Sequence, residues 1–185
     1  MTNTVVVITG AAPLSRRAVE AAVPGALLVA ADGGLDHARA AGLEPAVLVG
    51  DLDSISAGGL AWASEHAEVI RHPPDKDVTD TELALQHAAG LAPERIVLLA
   101  GAGDRLDHAI AALAALGAPA LAGVAQLAAW WGEDELRVVH GPGQTLLAHA
   151  AGTTFSVLAM HGPCAGVTLD GARWPLRDRD LAPMV

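Results

Sequence analysis

Two aspartates one residue apart, Asp51 and Asp53, close the run Ala46-Val47-Leu48-Val49-Gly50. That run is short and apolar, which reads as a buried strand. Carboxylates two residues apart on an extended tip leave it on the same side. Held that close they repel, and each favours its neutral form unless a cation intervenes. Hard oxygen donors of this kind suit Mg²⁺ better than zinc. The plainer alternative is a solvated loop whose aspartates cap the next helix, and the pair alone does not decide. A second cluster tilts the balance: Asp75-Lys76-Asp77-Val78-Thr79-Asp80-Thr81-Glu82. Thr79 and Glu82 have the spacing of a capping box, so a helix starts there. An acid in its first turn gains roughly 0.3–1 kcal/mol from the helix dipole, which accounts for Asp80. One helix start does not need four acids. With Asp51 and Asp53 on the same sheet edge, the combination of Asp75, Asp77, Asp80 and Glu82 makes a Mg²⁺ site the better reading.

A third stretch, Gly101-Ala102-Gly103-Asp104-Arg105-Leu106-Asp107-His108, turns from another apolar run into a helix. A glycine turn at a helix start can cradle phosphate on backbone N–H groups. It is not the dinucleotide fingerprint, because Leu106 stands where the third glycine would be, and no P-loop pattern occurs. Lys76 is the only lysine in the chain. A phosphate clamp must then rely on arginine, amides and metal, and the fork of Arg105 matches phosphate oxygens. Arg105 can equally pair on the surface with Asp104 or Asp107. His108 can orient or protonate a substrate, or be an ordinary first-turn residue. Eight histidines without His-Glu-x-x-His lend no support to a zinc hydrolase. Trp130 and Trp131 are expected at a domain junction, and Trp174 either stacks on an aromatic ligand or is buried between sheets.

The elements that must hold these groups alternate. Strands are predicted at Val5–Ile8, Ala26–Ala31, Ala46–Val49, Glu68–Arg71 and Arg95–Ala100. Helices are predicted from Ser15 to about Ala22, around His37–Ala41, near Leu60–His66, from Thr79 to about Ala89, and after Gly103. Such alternation argues a doubly wound parallel sheet of the α/β class, with ligands outside the carboxyl ends of the strands. Asp32, Asp51, Asp53, Asp77 and Asp107 all follow strand ends, as do Gly33, Gly34, Gly101 and Gly103. They are expected on one edge of one sheet. Beyond Trp131 the texture changes to short strand-like runs at Glu135–His140, Thr145–His149, Thr153–Met160 and Gly166–Leu169. The expectation is an α/β domain over 1–132 and a small all-β, sandwich-like unit over 133–185.

Composition narrows the function. The 185 residues carry a net charge of −10, eleven basic side chains against twenty-one acidic. That argues against nucleic acid or an anionic membrane as partner, and it is compatible with an acidic cleft loaded with metal. One cysteine, Cys164, excludes an internal disulfide and a cysteine-cluster zinc site, and a reducing, cytoplasmic setting is expected. The start of the chain lacks the basic region of a signal peptide. Ala109–Gly132 is free of charge, but Gly117, Pro119 and Gly123 interrupt it, so it is expected to fold as helix, turn and strand rather than cross a membrane.

Taken together in this order, Ala31-Asp32-Gly33-Gly34, Gly50-Asp51-Leu52-Asp53-Ser54, Asp75 to Glu82 and Gly101 to His108 resemble the thiamine pyrophosphokinase family. The resemblance is close over residues 5–110 and looser through Phe155-Ser156-Val157 and Gly166 to Leu176. It implies an α/β catalytic domain, a C-terminal β-sandwich, and a homodimer that transfers diphosphate from ATP to thiamine. By it, Asp51, Asp53, Asp77 and Asp80 handle Mg²⁺ and phosphates, while Asp32, Gly33, Gly34, Ser54, Gly101, Arg105, Asp107 and His108 line the nucleotide and diphosphate path. Asp77 or Asp107 is the expected proton acceptor, and Trp174 lies near the thiamine pocket. Two departures stand out. Ala111 and Ala112 occupy the place of the family's usual Asn, and the family's Ser-Asn motif does not occur before Val185, so either the β unit is incomplete or thiamine binding is compromised. Three other readings compete. A haloacid-dehalogenase-type phosphatase also carries Asp-x-Asp after a strand, but it needs a lysine downstream of Lys76. The others are a binding module without catalysis and a pyrophosphokinase acting on a pterin alcohol.

Overall fold

In the computed structural model the described residues are 3–100, 103 and 105–183. Seven strands form one sheet: β1 (Thr4–Ile8), β2 (Leu27–Ala31), β3 (Val47–Gly50), β4 (Glu68–Arg71), β5 (Arg95–Ala100), β6 (Gln126–Trp131) and β7 (Asp134–Val138). Their order is β4-β3-β2-β1-β5-β6-β7. The first six run parallel and β7 pairs antiparallel with β6. Five helices connect them: α1 (Arg16–Ala22), α2 (Gly34–Ala40), α3 (Ala57–His66), α4 (Asp80–Gly90) and α5 (Leu106–Ala115).

The unbroken apolar run of β1 follows from its central place. Val5 and Val7 pack with Ala84, Leu85 and Ala88 of α4 and Ala112 and Ala115 of α5. Val6 and Ile8 pack on the other face with Ala18 and Ala22 of α1 and Ala38 of α2. Alanine at these helix positions lets the helices sit close to a sheet built of valine and leucine. The sheet is doubly wound, as the alternation predicted. The uncharged stretch divides into α5, a short 3₁₀ turn (Pro119–Leu121) and β6. Among the described residues no helix is long and apolar enough to cross a membrane.

Helix starts follow the sequence closely. Ser15 Oγ accepts from Ala18 N, Ser56 Oγ from Gly59 N, and Thr79 Oγ1 from Glu82 N. Each satisfies an orphan donor of a first turn. Trp130 is a correction: it is buried under α1 with the Arg17 guanidinium over its ring, rather than at a junction.

The chain divides into two compact units, the first ending at Val138. Gly132, with φ +60°, and Glu133 form the two-residue link of the β6–β7 hairpin, in which Trp131 pairs with Asp134. The strand-like run at Glu135–His140 therefore closes the large sheet. In the second unit β8 (Cys164–Leu169) and β9 (Leu176–Leu181) pair antiparallel. The runs at Thr145–His149 and Thr153–Met160 form no named strand, and their one ladder contact is an isolated bridge between Ala159 and Pro183. The β character of this unit thus rests, among its described residues, on one two-stranded sheet.

Candidate active site at the carboxyl edge of the sheet

The chain passes outward from β1 through β4, then returns to β5 on the opposite side of β1. Ligands in doubly wound sheets sit where the strand order reverses. A cleft of about 460 Å³ opens there, lined by Thr9 and Gly10 after β1, Asp32 and Gly33 after β2, Ser54 after β3, Lys76, Thr79 and Asp80 before and at the start of α4, and Gly103, Arg105 and His108 after β5.

Asp32 is the most buried acid of this edge, at 5% exposure. Its N–H donates to Val49 O at 2.9 Å, extending the β2–β3 ladder by one bond. Its φ of 45° then turns the chain into the left-handed region, a conformation Asp tolerates better than most residues. Oδ2 accepts from Ser54 Oγ at 2.6 Å and from Ser54 N at 3.3 Å. Oδ1 is buried without a hydrogen-bond partner. Burial pushes the Asp32 carboxyl above its ordinary pKa, against the pull of the Ser54 hydrogen bonds, and the charges of Asp80 and Asp51 add to the rise.

Asp51 and Asp80 complete a triad with Asp32: one oxygen of each lies within 4.8 Å of the others. Gly50 makes this approach possible. A Cβ there, at φ +155°, would stand 3.1 Å from Asp32 Cβ and 3.1 Å from Asp80 Oδ1. Lys76 Nζ lies 2.6 Å from Asp51 Oδ2 and 3.2 Å from Asp80 Oδ1. The Lys76 hydrogen bond holds Asp51 below its ordinary pKa. Asp80 Oδ1 receives the ammonium's charge but no well-directed hydrogen bond.

Asp53 and Asp77 are exposed and lie outside the triad. Strand geometry does not extend through Asp51 and Asp53, although their side chains remain neighbours. β3 ends at Gly50, and Leu52 at φ 72° breaks the extended geometry on which a period of two depends. Asp53 N instead donates to Asp51 Oδ1 at 3.3 Å, a local turn. Ser54 braces Asp32. Gly33 lines the cleft, whereas Gly34 is buried against Ile8, where a Cβ would be 2.1 Å from the carbonyl oxygen. Gly101 lies outside the described residues. Arg105 forks onto Asp107, Nε to Oδ1 at 3.2 Å and Nη2 to Oδ2 at 2.5 Å, and this pulls the exposed Asp107 down to about 2. Arg105 thus makes the surface pairing with Asp107 and also lines the cleft. Trp174, in the second unit, is 75% exposed beneath the Arg173 guanidinium.

Three contributors escaped sequence reasoning. Asp36 accepts from Ser56 N and Ser56 Oγ, both at 2.7 Å, strapping the loop after β3 to α2. The Thr9 hydroxyl is buried at the cleft without a partner. Lys76 stands inside the acidic cluster, and its being the only lysine, between two aspartates, was the signal available.

The family model for the thiamin pyrophosphokinase catalytic domain matches residues 23–122. The chain belongs to this family. Residues 23–122 include Asp32, Asp51, Lys76, Asp80, Arg105 and Asp107, so the match spans the triad and most of the cleft's lining. Among solved structures, a thiamin pyrophosphokinase family protein from Enterococcus faecalis aligns with a TM-score of 0.78 at 25% identity, over 98% of this chain and 85% of that one. Thiamine pyrophosphokinase from Bacillus subtilis aligns at 0.77 and 21% identity, over 97% and 85%. That from Geobacillus thermodenitrificans aligns at 0.64 and 21%, over 97% and 83%. The last two likenesses concern the fold. No curated protein matches the sequence.

The buried charge of Asp32 has a stability consequence with a definite sign. Its folded pKa lies above the unfolded value, so its favourable contribution is full below about pH 3.9 and is lost as pH rises through the folded pKa. Asp32→Asn keeps an acceptor for Ser54 and removes the charge. In metal-free buffer the variant is expected to melt higher than wild type at pH 7, with the difference vanishing toward pH 3. Thermal unfolding across that range checks it, and a lower melting temperature at pH 7 would contradict it.

Proposed function

We propose that this chain transfers a diphosphate group from ATP to the primary hydroxyl of thiamine, giving thiamine diphosphate and AMP, with Mg²⁺ as cofactor. The observation that carries the reading is the carboxylate triad in the cleft of a chain belonging to the thiamin pyrophosphokinase family. The donor set fits a hard divalent cation. Three carboxylates converge, Asp32 among them with a buried oxygen that has no hydrogen-bond partner, around a glycine whose missing side chain leaves them room.

Asp32, Asp51 and Asp80 would hold the ion, with Asp53 and Asp77 adding negative charge nearby in the chain. Bound there, Mg²⁺ supplies charge neutralisation for the phosphate oxygens. Ser54 and the Thr79 cap keep two of the carboxylates in place, which is positioning, the main demand of phosphoryl transfer. Gly33, Gly103 and the exposed Arg105 and His108 receive the nucleotide and its diphosphate. The thiamine hydroxyl attacks the β-phosphorus, the α,β-bridging oxygen leaves with AMP, and the hydroxyl proton passes to a carboxylate, Asp77 or Asp107. Charge neutralisation at the phosphates and alignment of hydroxyl with phosphorus carry the rate, since little covalent work falls to the protein. Trp174 would lie toward the thiazolium and pyrimidine rings. Two such chains acting as a cytoplasmic homodimer belong to the same proposal.

The test is an AMP-release assay across thiamine and pterin alcohols, with and without Mg²⁺. AMP release only with thiamine and Mg²⁺ supports the assignment. Release with the pterin alcohol alone would change the acceptor, and ligand binding without any AMP would leave a binding module.

A further inference from the structure

Lys76 has a place in this site that its charge does not by itself explain. Its ammonium contacts oxygens of Asp51 and Asp80, two of the three members of the triad, and only 13% of its side chain is exposed. Mg²⁺ binds carboxylate oxygens at roughly 2.0–2.1 Å. An ion bound to the Asp51–Asp80 pair and an ammonium at 2.6 Å and 3.2 Å from oxygens of the same pair compete for the same negative charge. Their like charges also repel steeply across so short a gap. The backbone of Lys76 lies in the irregular segment between β4 and α4, outside any helix or strand. Lys76 lines the cleft, and its four-carbon stem is flexible enough to swing the ammonium into it.

We infer that Lys76 is an exchangeable cation. It neutralises the Asp51–Asp80 pair, and a divalent ion entering the cluster displaces its ammonium into the cleft, where it meets a phosphate of the nucleotide. The exchange couples the two binding events. Metal releases the lysine that phosphate requires, and by reciprocity phosphate strengthens the hold on metal. The chain then needs no second lysine for its phosphate clamp. This rests on the reading of the triad as a divalent-cation site and is independent of which alcohol accepts the diphosphate.

A single lysine makes the test direct. Wild-type protein carrying lysine labelled with ¹³C at the ε position gives one side-chain signal for the chain. Mg²⁺ titrated in without nucleotide is expected to move that signal saturably toward the position of a free lysine, and EDTA is expected to reverse it. In parallel, Mn²⁺ binding followed by electron paramagnetic resonance is expected to be on the order of tenfold tighter in Lys76→Met than in wild type, and unchanged in Lys76→Arg. A lysine signal that stays fixed while the divalent ion binds overturns the exchange but leaves the metal site standing, as does weaker Mn²⁺ binding in a folded Lys76→Met. Absence of any divalent binding overturns both. The labelled wild-type experiment does not depend on how well either variant folds.

Discussion

Asp80→Asn is expected to fold as wild type and to lose roughly 100-fold or more in kcat for AMP formation. Asp80 is the first residue of α4, and the cap that starts this helix belongs to Thr79. Losing the charge therefore costs about 0.3–1 kcal/mol of dipole stabilisation, too little to unfold the domain. The charge it loses belongs to the triad, beside the Lys76 ammonium and in the cleft proposed to hold the phosphates. Asp51→Asn is expected to have a similar effect on turnover, with a further loss of the Lys76 hydrogen bond. Steady-state kinetics beside circular dichroism checks both. Turnover within threefold of wild type in either folded variant would remove the triad from the reaction.

Gly34→Ala is expected to have the largest effect on stability, roughly 3 kcal/mol or more. The added Cβ would stand 2.1 Å from Ile8 O, 2.9 Å from Ile8 C and 3.0 Å from Thr9 C. These are backbone atoms of the central strand, held between β2 and β5 and unable to yield. Gly90→Ala is the matched comparison, because nothing lies within 4 Å of its would-be Cβ. Replacing a glycine near the end of α4 with no new contact is expected to be neutral or to stabilise by about 0.4–1 kcal/mol. Urea unfolding of the pair reads the difference. A Gly34→Ala loss no larger than about 1 kcal/mol would mean that helix and strand separate more easily than this packing implies.

The sheet was legible because β1, β2, β3 and β5 are unbroken apolar runs, which only strands buried on both faces need. Strand and helix alternating at short intervals left little choice of topology. Capping was legible at Ser15 and Thr79 because it is decided within a few residues. The triad was legible only in part. Asp51 and Asp80 announce themselves beside other acids, but the place of Asp32 depends on its left-handed turn and on the bare Cα of Gly50 across the sheet. Neither is a property of nearby residues in the chain. Asp53 fell outside the triad because the chain leaves extended geometry at Leu52, directly before it. Gly132 read as a linker because glycine marks hairpins and boundaries alike. Only the pairing of Trp131 with Asp134 distinguishes them.

The account stands most directly on which phosphorus the acceptor attacks. Reaction of the full chain with thiamine, Mg²⁺ and ATP labelled in turn with ³²P at the α and β positions separates the possibilities. Label from the β position recovered in thiamine diphosphate, with α label recovered only in AMP and neither transferred when EDTA is present, is the predicted result. Thiamine left unlabelled with both tracers, or β label recovered in ADP, would contradict it.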